Sequence, residues 1–354
     1  MKNIFLLIFI FFSHLTNAAD IERLSYAEDQ QQEKHQVKVS TILMTTDVTF
    51  TLMINEVDST KRKAEEEKAH NAINSAIGEI QRIEALLSEW QPDSEISQIN
   101  LYAAEKPVIV SRETYRLLHE SLNIAKATQG KFDITFKSAG KLWDFRKKVI
   151  PSAAELQQAV SAIDYHKVVL NDEDYSVRFT QPGTRIGLGG IAKGYAVDRA
   201  VQIIGHYGFR EYSVNAGGDL YAAGDIQQKR WRVGIRHPRE KDQLIALLPV
   251  ANAAVATSGD YERYFEKGGK RYHHIIDPAT GQPAQDCMSV TILSPRAYLA
   301  DALATGVFVL GAQQGMALIN SLPDTEAMII DAAGNISVSA GLNDLQAALV
   351  SDTN

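Results

Sequence analysis

The chain has 354 residues, 45% hydrophobic and 22% charged, with a formal net charge of −7. That acidity argues against nucleic acid or anionic lipid as the main partner, so a polyanionic ligand would need local positive groups or a metal. A single cysteine, Cys287, excludes an intrachain disulfide, and the fold must rest on a hydrophobic core that a chain of this length can bury.

Residues 1–18 read as a cleavable secretory signal peptide: Lys2 supplies the positive start, Ile4 to Phe12 the apolar run, and Asn17-Ala18-Ala19 the small residues for cleavage. The apolar run is too short to span a bilayer as a helix. Loss of Lys2 would take the formal charge from −7 to −8. No cysteine stands at the cleavage point, so the expectation is a soluble periplasmic product without a lipid anchor. Residues 19–40, rich in Glu and Gln, read as a flexible arm, and 41–354 as one domain with no linker or internal repeat.

The domain opens with a strand, Leu43 to Ile54, in which Val48, Phe50, Leu52 and Ile54 alternate. The period then changes, and Ile73, Ile77, Ile80, Ile83 and Leu87 mark one stripe of a long amphipathic helix over Lys61 to Glu89. A loop is expected over Ser88 to Ile96, where Trp90 offers either a stacking surface or a seal for the core. A second helix runs from Ser111 to Thr128 and stops before Gly130. In the polar turn Gly130 to Thr135, Asp133 reads either as a cap or as a ligand contact. Ser152 and Glu155 form a capping box that opens a third helix through Ile163, followed by strands at His166–Leu170 and Ser176–Thr180.

Next comes Ile186-Gly187-Leu188-Gly189-Gly190-Ile191-Ala192-Lys193-Gly194-Tyr195, where a strand gives way to a helix ending at Tyr207. Glycines allow a tight turn and close approach, and a helix N-terminus with a lysine attracts phosphate. Gly187, Gly189 and Ala192 match the dinucleotide-binding spacing, but that fold needs an acidic residue at the next strand end, roughly 20 residues on, and Asp219 comes too late. The P-loop pattern fails because no Ser or Thr follows Lys193. A phosphate cradle and a plain tight turn both stay open.

Strands follow near Tyr212, Tyr221, Trp231, Ile245 and Ala254, and Arg271 to Ile276 pairs back through Lys267-Gly268-Gly269-Lys270. Neighbouring residues on a strand face opposite ways, so His273 and His274 cannot both enter one site; one of them could serve as a general base. Ser289–Leu293 is a strand and Ala297–Leu310 an apolar helix, before a hairpin of Met328–Asp331 and Ile336–Ser339. In that helix Asp301 and Thr305 stand four apart on one face, as hard oxygen ligands of the kind Mg²⁺ takes. The alternative is that Thr305 bonds a carbonyl one turn back and Asp301 caps a neighbouring element. Helices mixed with antiparallel strands give an α+β class.

With these segments in order, the chain resembles the ApbE family of FAD:protein FMN transferases. The residues that carry it are Met44–Thr46, Ser88–Asn100, Gly130–Thr135, Gly189–Tyr195, Asn215–Asp219, Thr257–Tyr261, His274–Gly281 and Asp301–Thr305. The resemblance implies a single T-fold-related domain of largely antiparallel sheets with packed helices. It implies cleavage of FAD at its pyrophosphate, transfer of FMN to a Ser or Thr hydroxyl of an acceptor protein, release of AMP, and help from Mg²⁺ or Mn²⁺. It implies a membrane-bound respiratory flavoprotein as acceptor. By position, Asp301, Thr305 and the Gly190 carbonyl resemble metal ligands. Met44, Trp90, Lys131, Phe132, Asp133, Lys193 and Ile275 fall where the family contacts FAD, and His274 resembles a catalytic base beside Asp301. Two departures stand out: Gly187 replaces an aspartate common in the family, removing any flavin contact by that side chain, and the lipidation cysteine of many members is absent. The competing readings are a periplasmic FAD-binding protein and an FAD pyrophosphatase using water as nucleophile.

Overall fold

The computed structural model describes residues 35–226 and 230–343. The expected signal peptide and most of the expected arm therefore lie outside the described residues. The arm's last residues do not: strand β1 (His35–Leu43) pairs along its whole length with β2 (Thr46–Ile54), so residues 35–40 are sheet rather than arm. Only Val37 and Leu43 of β1 are buried. An outer strand with so little buried surface reads as polar chain.

Helix α1 (Ser59–Leu87) starts where the Asp58 carboxylate accepts the Thr60 and Lys61 N–H groups, and it buries Ala69, Ala72, Ile73, Ala76, Ile80, Ile83 and Leu87. Ile77 is only half-buried, so the small residues Ala69, Ala72 and Ala76 carry that part of the stripe. The stretch expected as a loop after α1 includes the start of α2 (Glu95–Tyr102), capped by Ser94. There follow β3 (Val108–Ile109), α3 (Arg112–Ala127), the short α4 (Lys137–Gly140), and α5 (Ala153–Val160) with the expected capping box in place. Strands β4 (Val168–Asn171) and β5 (Ser176–Phe179) join β3 in a small antiparallel sheet.

Helix α6 (Ala192–His206) opens the second half, with β6 (Tyr212–Ala216), β7 (Asp219–Ala223), β8 (Trp231–Arg236), β9 (Leu244–Val250) and β10 (Ala253–Gly259) after it. The β11 (Tyr264–Lys267) and β12 (Lys270–His273) hairpin is shorter than expected: its strand ends at His273, and the chain from His274 leaves it. Strand β13 (Cys287–Ser294), helices α7 (Ala297–Leu310) and α8 (Ala312–Ile319), and the hairpin β14 (Glu326–Asp331) and β15 (Ile336–Val338) complete the order. The bounds of α7 are those the sequence indicates. No helix among the described residues is long and apolar enough to cross a membrane.

The main sheet has eight strands in the order β1-β2-β6-β7-β10-β13-β14-β15, each pair antiparallel, which meets the α+β expectation. Alternate side chains separate its two faces. Phe50, Val214, Ala254, Ala256 and Ile329 enter the main core with the buried stripes of α1, α6 and α7, while Ala222, Val255 and Met328 pack on Ile235 and Val250 of the β8–β9 hairpin. Helices thus cover one face and a hairpin the other.

Helix α6 crosses the start of α7 at very short range. A Cβ at Gly194 would lie 2.2 Å from the Ala297 carbonyl oxygen. We expect Gly194→Ala to force the two helices apart and lower stability by about 1–3 kcal/mol, read as a shifted urea midpoint. An unchanged midpoint would show that the crossing is loose.

Candidate active site

Neither α6 nor α7 has a side-chain cap from its own N-cap residue, Ile191 or Arg296. Each helix caps the other instead. Asp198 of α6 accepts the N–H groups of Ala297 (2.9 Å) and Tyr298 (3.0 Å), and Asp301 Oδ2 of α7 accepts the N–H of Gly194 (3.1 Å). This satisfies the capping alternative for Asp301 through one oxygen and leaves Oδ1 facing Lys193 at 3.9 Å. One turn further along α7, Thr305 comes against the glycine turn. A Cβ at Gly190 would stand 3.0 Å from Thr305 Oγ1, which also lies 3.3 Å from Ser258 Oγ. The sequence-predicted trio Gly190, Asp301 and Thr305 therefore meets in one place.

Its donor chemistry is one buried carboxylate, a hydroxyl and a backbone carbonyl. These hard oxygens suit Mg²⁺ or Mn²⁺, with water and phosphate completing the shell. No group of three or more His, Cys, Asp or Glu able to hold a metal occurs among the described residues, so a cation here would depend on that mixed set.

Charge concentrates at the same point. The Lys193 ammonium pairs with Asp219, a buried residue delivered by the β6–β7 turn. Burial works against the lysine's charge, but Asp219 and Asp301 outweigh it and raise its pKa. Burial and the neighbouring Asp219 push Asp301 upward, against the pull of Lys193. By spacing Asp219 comes too late for a dinucleotide fold, and it closes the Asn215–Asp219 segment that carries the family resemblance. Its pairing with Lys193, 26 positions away, appears only once β7 lies beside α6.

The two histidines part as the spacing requires. His273 is buried: Nε2 bonds the Ala284 carbonyl at 2.7 Å, Nδ1 takes the Ile275 N–H at 3.3 Å, and the ring meets Phe308 edge-on. His274 keeps a buried Nδ1 with no hydrogen-bond partner. Burial, then the neighbouring Arg263, His273 and Lys193, lower its pKa to about 3, so the ring is a neutral acceptor near neutral pH. Arg263, whose carbonyl accepts the His274 N–H and whose guanidinium reaches Thr45 Oγ1, carries no motif that would have singled it out.

The residues expected to contact FAD fall into two groups. Trp90 is 78% exposed, and the Lys137 ammonium stands 4.5 Å over its ring. Met44, in a left-handed backbone conformation (φ 50°), sits in the β1–β2 turn with its N–H on Glu84. Lys131 reaches Asp277 at 3.3 Å. Phe132, Asp133 and Ile275 are buried. Both Asp133 oxygens are taken by the Thr135 N–H and hydroxyl and by the Tyr165 N–H, so this carboxylate is the cap of its own turn. Phe132 backs the site, its ring 3.4 Å from a Cβ at Gly190.

At Gly187 a Cβ would come 2.8 Å from Glu89 Oε2, whose other oxygen pairs with Lys137 at 2.5 Å. The side chain missing at 187 is thus matched by a carboxylate arriving from the end of α1. Beside it a cavity of about 330 Å³ is lined by Glu89, Asn100, Lys137, Lys141 and Arg185 among others.

The model of the ApbE family matches residues 44–329. An FAD:protein FMN transferase of Treponema pallidum is 37% identical over 302 residues, covering 80% of this chain and 83% of that protein. One from Klebsiella pneumoniae is 32% identical over 265 residues, covering 74% and 82%. Among solved structures, the ApbE protein of Thermotoga maritima superposes with a TM-score of 0.77 at 31% identity, over 87% of this chain and 98% of that one. The flavin transferase ApbE of Vibrio cholerae gives 0.76 at 26% identity, over 88% and 99%. With its fold, its ordered motifs and relatives of this identity and coverage all in agreement, the chain belongs to the ApbE family.

Proposed function

We propose that the protein is a periplasmic FAD:protein FMN transferase, exported by residues 1–18. It cleaves the FAD pyrophosphate, attaches FMN through a phosphoester to a Ser or Thr hydroxyl of an acceptor protein, and releases AMP. The observation that carries this reading is that α7 sets Asp301 and Thr305 against the Gly190–Gly194 turn while His274 keeps a ring nitrogen free of partners. The names of the relatives supply the substrate class.

Phosphoryl transfer asks for positioning and charge neutralisation more than for covalent help. Lys193 would meet the pyrophosphate oxygens beside the α6 N-terminus and offset the charge that builds there. Trp90 presents a ring face for stacking a flat heterocycle. His274 would accept the proton of the acceptor hydroxyl as that oxygen bonds to the FMN phosphorus and the bond to AMP breaks. Asp301, Thr305 and the Gly190 carbonyl would hold Mg²⁺ or Mn²⁺, which supplies Lewis-acid neutralisation of the pyrophosphate. A membrane-bound respiratory flavoprotein is the acceptor class we favour.

The deciding experiment incubates the protein with FAD, Mg²⁺ and candidate acceptors. Flavin fluorescence on an acceptor band after denaturing electrophoresis supports the transferase. AMP and free FMN without labelled acceptor would make the protein a pyrophosphatase, and intact FAD a binding protein. In the same assay Asp301→Ala should lower transfer by about a hundredfold or more, since metal neutralisation is worth several kcal/mol. Wild-type transfer by that variant would remove Asp301 from the metal site.

The pH dependence follows from His274. An imidazole with an ordinary pKa near 6.5 protonates as pH falls through that value, and a base of that kind loses activity there. His274 protonates only at about 3, so kcat/KM between pH 5 and 8 should show no inflection from its titration. An inflection near 6.5 that disappears in His274→Gln, measured on its residual activity, would contradict this.

A further inference from the structure

Lys193 faces two buried carboxylates and pairs with one. Its ammonium contacts Asp219, while Asp301 Oδ1 stands 3.9 Å away. The preference is built in. Asp219 is 2% exposed and comes from a turn in which Gly217 (φ 61°) and Gly218 (φ 103°) reverse the chain, with the Gly218 N–H held by Asn215 Oδ1 at 3.0 Å. A Cβ at Gly217 would meet Thr46 Oγ1 at 2.1 Å, so the turn is wedged against the β1–β2 connection and cannot easily retreat.

A lysine on a flexible four-carbon stem, that close to a buried carboxylate, ordinarily closes on it, because an unpaired charge in the interior is costly. Closure here would occupy Asp301 Oδ1, the oxygen left over after Oδ2 caps α6. We infer that Asp219 is a positioning residue whose carboxylate holds Lys193 off Asp301, leaving Asp301 Oδ1 open to a divalent cation and the ammonium fixed beside it. This rests on the metal reading given under Proposed function. Its logic is that of groups behind a metal ligand, which set the ligand's availability without touching the ion.

The test is Mn²⁺ alone, titrated without FAD and followed by electron paramagnetic resonance, with a crystal structure of the Asp219→Ala protein beside it. Asp219→Ala should bind Mn²⁺ about ten- to a hundredfold more weakly, as for other groups behind metal ligands, with Lys193 seen on Asp301. Adding Lys193→Met to that variant should restore binding. Unchanged affinity in Asp219→Ala, a lysine that stays off Asp301, or a loss that Lys193→Met does not rescue would each overturn the inference; the last would make Asp219 itself a ligand. Should Asp219→Ala fail to fold, Lys193→Met alone decides: Mn²⁺ binding as tight as wild type or tighter supports the inference, and weaker binding overturns it. No Mn²⁺ binding by the wild-type chain would overturn the metal reading and the inference together, whereas wild-type binding indifferent to Asp219 overturns the inference alone.

Discussion

The structure depends on one exchange between two helices. Helix α6 lends Asp198 to the open N–H groups of α7, and α7 lends Asp301 to α6. A helix start normally leaves such donors unsatisfied, and here neither helix meets the need from its own cap residue. The exchange demands a crossing so close that only glycine fits at 194. Once that crossing is made, Thr305 lies one turn from Asp301 against Gly190, and Lys193 projects beside them. The site's geometry is therefore a consequence of how the core closes, and it is held with the rigidity of the core.

The electrostatics follow from the same burial. Two buried carboxylates, Asp219 and Asp301, face the half-buried Lys193 ammonium, with the Arg263 charge in the same neighbourhood. Burial above all, helped by Arg263, His273 and Lys193, keeps His274 neutral. One buried cluster thus leaves an Asp301 oxygen without a capping bond and keeps the His274 imidazole neutral. A second exchange occurs at Gly187, where Glu89 and Lys137 bring a carboxylate and its counter-ion to the space a side chain would have filled.

What the sequence made legible was local. The period change from β2 to α1, the capping box of α5 and the apolar run of α7 each carry their signal within a few turns, as does the four-residue spacing of Asp301 and Thr305. What stayed hidden depended on distance or on weak burial. Strand β1 buries too little to alternate clearly. Helix α2 begins after Pro92 and Asp93, which read as loop, and only the Ser94 cap marks its start. The strand through Arg271 stops at His273 because His273 turns inward to Ala284, a bond no local pattern foretells. Asp219 and Glu89 act on residues far along the chain, and their roles exist only in the folded sheet.

The α6–α7 crossing is proposed to build a metal-assisted pyrophosphate site. The most direct measurement is a crystal structure of the protein soaked with FAD and Mn²⁺, with the metal located by its anomalous signal. The expected result is one Mn²⁺ bonded to Asp301 Oδ1, Thr305 Oγ1 and the Gly190 carbonyl, with the FAD pyrophosphate between it and Lys193. An anomalous peak elsewhere, or FAD bound with its pyrophosphate away from Lys193, would contradict it.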